Sequence, residues 1–76
     1  MTVLILAGSI AKYVGKAKAW EHRRMKKCVV QEDTSAASVL YSVKFEDEDK
    51  VVRAQYGSLE FLQKNMVELE PFAVPA

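Results

Sequence analysis

The chain of 76 residues has one cysteine, one histidine and one tryptophan, and its charges nearly cancel, at +1. Each scarcity excludes something. Cys28 has no partner for an intrachain disulfide, which points to a reducing compartment, or to a bond between chains if the protein is secreted. His22 and Cys28 are two soft ligands without a second pair, so the spacing of a zinc site is missing. They form a nucleophile and base only if the fold joins them, and no third orienting group is apparent; a buried structural thiol is expected instead. The acidic run Glu46 to Asp49 lacks the glycine and spacing of a calcium loop. Neither a G-x-G-x-x-G pattern nor a P-loop lysine follows Gly8-Ser9. No metal, cofactor or enzyme activity is therefore expected. The longest apolar run, Val3 to Ala7, falls far short of the roughly 20 residues that span a bilayer. No lysine or arginine precedes it, as a signal peptide would require. The expectation is a soluble, cytoplasmic protein with no membrane contact.

What remains is ordinary globular composition, 50% hydrophobic and 28% charged, in a length that holds a single domain over 1–76. A chain this short buries only about 60% of the surface that its unfolded form exposes, so its core is small. The charge is divided along the chain. Residues 1–30 hold seven basic side chains against Glu21 alone, and residues 31–76 hold nine acidic against four basic. Such a division either steers an anionic partner to the first part or lets the two parts neutralise each other.

Val39, Tyr41, Val43 and Phe45 share one parity, with Leu40, Ser42 and Lys44 on the other, which predicts a strand with the first set buried. Glu46 to Asp49 supplies a polar turn and Lys50 to Tyr56 returns, completing a hairpin. Cys28 to Gln31 reads as a further strand. Ser58 is placed to cap a single helical turn through Leu62. Met66 to Leu69 reads as a closing strand, and Pro71 and Pro75 mark an irregular tail over 71–76. The first third has two readings. From Ser9, the residues Ile10, Tyr13, Val14, Ala17 and Trp20 fall at helical spacing, giving the order β-α-β-β-β-α. Alternatively Gly8 to Tyr13 is a strand that Gly15 ends.

The segment VLYSVKFEDEDKVVRAQYGSLEFL resembles the second half of an SH3-like barrel of the Tudor and KOW kind. The matching pieces are Val43-Lys44-Phe45, the acidic turn, Val51 to Tyr56, and Ser58 to Leu62. GSIAKYVGKAKAW looks like the opening strand and glycine turn of the same barrels. The resemblance implies an all-β barrel of about five strands with one short helical turn, and it favours the strand reading of the first third. Val39, Tyr41, Val43, Phe45, Val52, Ala54, Leu59, Leu62 and Val67 would then fill the core. Val3 to Leu6 exceeds what such a barrel needs, and either adds a strand or covers a neighbour. A small core also makes a homodimer physically reasonable. The resemblance further implies an aromatic cage for methylated lysine or arginine, with Tyr41, Phe45, Tyr56 and Phe61 as its walls.

The candidate binding segment is Lys16 to Lys27. Lys16, Lys18, Arg23, Arg24, Lys26 and Lys27 attract phosphates or carboxylates, and Trp20 offers a face for base stacking. The function expected is a non-enzymatic module that binds nucleic acid or an acidic protein through this loop. The alternative is an accessory protein that self-associates, or packs on a partner, through its apolar N-terminal segment.

Overall fold

Short strands joined by turns and two 3-10 segments make up most of the path in the computed structural model, which describes residues 2–69. The strands are β1 (Thr2–Ile5), β2 (Ile10–Tyr13), β3 (Lys27–Val30), β4 (Thr34–Ser35), β5 (Leu40–Phe45), β6 (Val51–Gln55), β7 (Leu59–Gln63) and β8 (Met66–Leu69). Two 3-10 segments, Lys18–Arg23 and Tyr56–Ser58, are the only helical elements among the described residues. The fold is therefore all-β, and the β-α-β-β-β-α alternative is overturned. Residues Ile10 to Tyr13 alternate between half-exposed and buried, with Ala11 and Tyr13 inward, which is the period of a strand. A helix from Ser9 would leave their backbone groups unavailable to β3 and β7, the two strands that pair with them. The expected irregular tail over 71–76 lies outside the described residues.

All pairing is antiparallel, in two sheets ordered β6-β5-β3-β2-β7 and β4-β1-β8. The five-stranded sheet is rolled. Tyr41 on β5 and Phe61 on β7 stand three strands apart, about 14 Å in a flat sheet, yet their ring centroids are 6.1 Å apart. The roll does not close into a barrel, because β6 and β7 stay at opposite margins of the sheet. Its concave face holds the core: Ala11, Tyr13, Cys28, Val30, Tyr41, Val43, Phe45, Ala54 and Leu59, joined by Ile5.

Several core assignments need correction. Val39 immediately precedes β5 and is 69% exposed, although its carbonyl still accepts from the Tyr56 amide at 2.8 Å. Leu62 and Val67 are also exposed, and Val52 is only half-buried. The helical turn comes earlier than Ser58 to Leu62, at Tyr56–Ser58, and no side chain caps it. Leu59 and Phe61 turn inward on opposite sides of exposed Glu60. That alternation suits pairing with β2, whereas one helical turn would have left Phe61 outside. As a result β7 ends the five-stranded sheet, and β8 pairs with β1 instead.

The surplus apolar residues Val3 to Leu6 supply the extra strand, with Ile5 buried and Val3, Leu4 and Leu6 half-buried. Gly8, at φ +94°, makes the turn from β1 to β2 in a backbone region that favours glycine. Beside it, Ser9 is the one fully buried polar residue among those described. Its hydroxyl donates to the Leu6 carbonyl (2.8 Å) and accepts from the Asn65 amide (3.0 Å), tying the two sheets together.

Gly15 serves a close approach. A Cβ there would overlap the Tyr13 hydroxyl and sit 2.9 Å from Ser58 Oγ. Gly15→Ala should destabilise the fold by about 1–3 kcal/mol through overpacking, measured by urea unfolding; an unchanged midpoint would contradict this packing.

Candidate anion-binding cleft

The basic segment connects β2 to β3 and is held to the core at both ends. The Tyr13 amide donates to the Lys26 carbonyl (3.0 Å), and the Met25 amide donates to the Tyr13 carbonyl (2.7 Å). Met25 takes the left-handed conformation at φ +68° to close this pairing. Between these points Trp20 interrupts the 3-10 segment (φ −116°, ψ 16°) and turns back onto the core. Its ring lies 5.2 Å from Tyr13 and edge-on to Phe45 at 6.1 Å. The guanidinium of Arg23 sits over Trp20, 4.6 Å from the ring centre. Trp20 is thus half-buried between neighbours, and the open stacking face expected from the sequence is not what it presents.

The charge division is partly settled within the chain. Arg23 makes a two-pronged contact with Glu48, with both N···O distances at 2.7 Å, and Lys26 pairs with Asp47. The hydrogen bond from Arg23 holds the Glu48 carboxyl below its ordinary pKa, and that from Lys26 does the same for Asp47. Arg23 is raised in turn, chiefly by its bond to Glu48. The acidic hairpin tip therefore folds back on the basic loop. Arg24 directs Nε to the Gly15 carbonyl at 3.2 Å. No carboxylate among the described residues forms an ion pair with Lys16, Lys18 or Lys27, and all three are exposed.

A cleft of about 370 Å³ opens beside this loop. It is lined by Tyr13 of β2 and by Lys16, Ala17 and Trp20 of the loop. Arg53, Ala54 and Gln55 of β6, with Ser58, complete the lining. The structure brings Lys16 and Trp20 of the expected set to the cleft. Lys18 and Lys27 are exposed elsewhere, while Arg23 and Lys26 are engaged by carboxylates. Arg53 and Gln55 were not expected. They lie more than twenty-five residues from the loop in sequence, and no local pattern joins them to it.

The aromatic cage is only partly assembled. Tyr41, Tyr56 and Phe61 meet with centroids 5.6 to 6.1 Å apart. Phe45 instead packs with Tyr13 and Trp20, as the register of β5 places it at the other end of the strand. Tyr41 is fully buried, and its hydroxyl donates to the Ser35 carbonyl at 2.9 Å. The ammonium of Lys64 already lies 5.6 Å from the Tyr56 ring centre and 5.1 Å from that of Phe61.

Cys28 is buried, and its burial pushes the thiol pKa up to about 11, the reverse of an activated nucleophile. His22 is exposed on the loop. Among the described residues no three of His, Cys, Asp and Glu gather to hold a metal, and no helix is long and apolar enough to cross a membrane. No protein family, curated protein or solved structure matches the chain.

Two outcomes follow from this geometry. A thiol reagent such as Ellman's should label Cys28 only as fast as the protein opens, so labelling in native buffer should lag that in denaturant by orders of magnitude. Equal rates would place the thiol outside the core. The paired carboxylates stabilise the fold above the ordinary carboxylate range of about 4 and lose that contribution as they protonate. The melting temperature should therefore fall as pH is lowered through about 4, and less steeply for Asp47→Asn/Glu48→Gln.

Proposed function

We propose that this chain is a non-enzymatic interaction module for a negatively charged macromolecule, an acidic protein segment or nucleic acid, held at the cleft between the basic loop and β6. The observation that carries this reading is that Lys16 and Arg53 line the same cleft as Tyr13 and Trp20, and that neither is paired with a described carboxylate. Lys18 and Lys27 extend the positive surface beyond it. Arg23 and Lys26 belong to the structural clasp with the hairpin tip and contribute to the shape of the cleft rather than to the partner.

An SH3-like ancestry is part of this reading. It is supported by the succession of β5, acidic turn, β6, 3-10 turn and β7, and by β7 pairing back on β2. A cytoplasmic setting is supported by the single cysteine, Cys28, being buried. Self-association through the N-terminal segment has less to work with, since that segment is already paired on both sides within the fold.

Trp20 is the only tryptophan and lines the cleft, so its fluorescence reports occupancy directly. Titration with polyglutamate and with a mixed-sequence oligonucleotide should shift it at low salt. For an oligonucleotide contacting Lys16, Lys18, Lys27 and Arg53, affinity should fall roughly 100-fold between 50 and 200 mM salt. Lys16→Ala should weaken binding and flatten that dependence by about one contact. Failure of both polymers to bind at low salt would refute the reading.

A further inference from the structure

One wall of the cleft is the free margin of a sheet, and the phase of its backbone can be read from the hydrogen bonds. The Gln31 amide donates to the Ser42 carbonyl (2.8 Å) and the Glu46 amide to the Lys27 carbonyl (3.3 Å). Ser42, Lys44 and Glu46 therefore turn their backbone groups towards β3, and Tyr41, Val43 and Phe45 turn theirs towards β6. The register pairs Tyr41 with Ala54 and Val43 with Val52, and the Tyr56 amide donates to the Val39 carbonyl (2.8 Å) in the same phase. Val52, Ala54 and Tyr56 thus face β5. Val51, Arg53 and Gln55 aim their N–H and C=O groups off the sheet. Arg53 and Gln55 are the same two residues that line the cleft.

We infer that the partner is an extended acidic polypeptide that adds as a strand to β6, pairing with the backbone of Arg53 and Gln55. This rests on the anion-binding reading above and names the partner class for that site. Two residues whose outward amides and carbonyls pair with no strand among the described residues, beside a cleft, form a template for strand addition, in which main-chain bonds give affinity and alternate side chains give selectivity. The chemistry of the walls sets that alternation. On the outward face, an acidic residue placed opposite Arg53 makes a favourable cross-strand pair. On the inward face, the next residue meets Tyr13, Ala17 and Trp20, which suit an apolar side chain. Lys16, which lines the same cleft, is available to a second carboxylate. Nucleic acid has no amides with which to use this edge. Trp20, packed between Arg23, Tyr13 and Phe45, also lacks the open face that base stacking needs.

The edge can be blocked without disturbing the ladder. Gln55 has φ −73° and ψ 139°, within the range of proline, and its N–H is not used by β5. Ala54 before it is already extended, as a residue preceding proline prefers. Gln55→Pro should therefore fold, as checked by circular dichroism and melting, while removing one outward donor.

The test uses the full chain with three probes: a short capped peptide alternating Glu and Val, the same peptide N-methylated at alternate amides, and a mixed-sequence oligonucleotide. The plain peptide is expected to bind, with slowed hydrogen exchange at the Arg53 and Gln55 amides. Both N-methylation in the phase facing β6 and Gln55→Pro should weaken binding at least tenfold, and Arg53→Glu likewise. If the peptide binds equally well to Gln55→Pro, or the oligonucleotide binds and the peptide does not, strand addition is overturned while the anion-binding reading survives. If the plain peptide raises the mass measured by light scattering to that of a multimer, the edge joins copies of this chain and the inference falls. If neither peptide nor oligonucleotide binds, both fall together.

Discussion

Burial of Tyr13 is the constraint on which the rest depends. Its backbone holds both Met25 and Lys26, closing the base of the basic loop, and its ring receives Trp20 on one side and Phe45 on another. Gly15 is bare because the Tyr13 hydroxyl passes beside it. Without this anchor, residues 14–25 would be a polar connection with no buried side chain of its own to fix it. With it, the loop is held in place, and Lys16 lines the cleft together with residues of β6. A core residue thus determines the geometry of a surface site, which is how a chain this small can maintain both.

Electrostatics then selects which cations remain available. The uneven division of charge in the sequence has two opposed consequences, and the structure realises both. Glu48 and Asp47 draw in Arg23 and Lys26, two of the cations that the composition alone would offer to a partner. Exposed ion pairs of this kind stabilise little individually. Here they orient the hairpin tip and the loop together, and Arg23 adds its contact with Trp20. The loop cations left without a carboxylate among the described residues are Lys16, Lys18, Arg24 and Lys27, to which β6 adds Arg53, so the anionic surface expected of a partner is narrower than a count of basic residues suggests.

The β5–β6 hairpin was legible because alternation is a local signal: Tyr41, Val43 and Phe45 are buried as the parity of the strand requires. Val39, one step beyond, shares that parity yet lies outside, since parity says nothing of where a ladder stops. The N-terminal apolar run could be read as surplus, but not as a strand pairing with both Thr34–Ser35 and Met66–Leu69. Those contacts close loops of about thirty and sixty residues, and no spacing rule reaches so far. For the same reason the basic loop was visible as a candidate while Arg53 and Gln55 were not. Their part in the site comes from the rolling of the sheet. Trp20 and Arg23 were legible as residue types but not as a stacked pair, because an aromatic flanked by cations reads the same whether it packs inward or stands free.

The buried Ser9 hydroxyl has a consequence for how the molecule comes apart. It joins the Leu6 and Asn65 backbones at the seam between the sheets. Beyond that seam the smaller sheet brings only a two-residue strand on one side and exposed Met66 and Val67 on the other. Its attachment relies on these bonds and on the buried side chain of Ile5, whereas the larger sheet supplies the rest of the buried apolar core. The smaller sheet is accordingly the lower-energy foldon, able to undock in a subglobal opening that leaves the binding half intact.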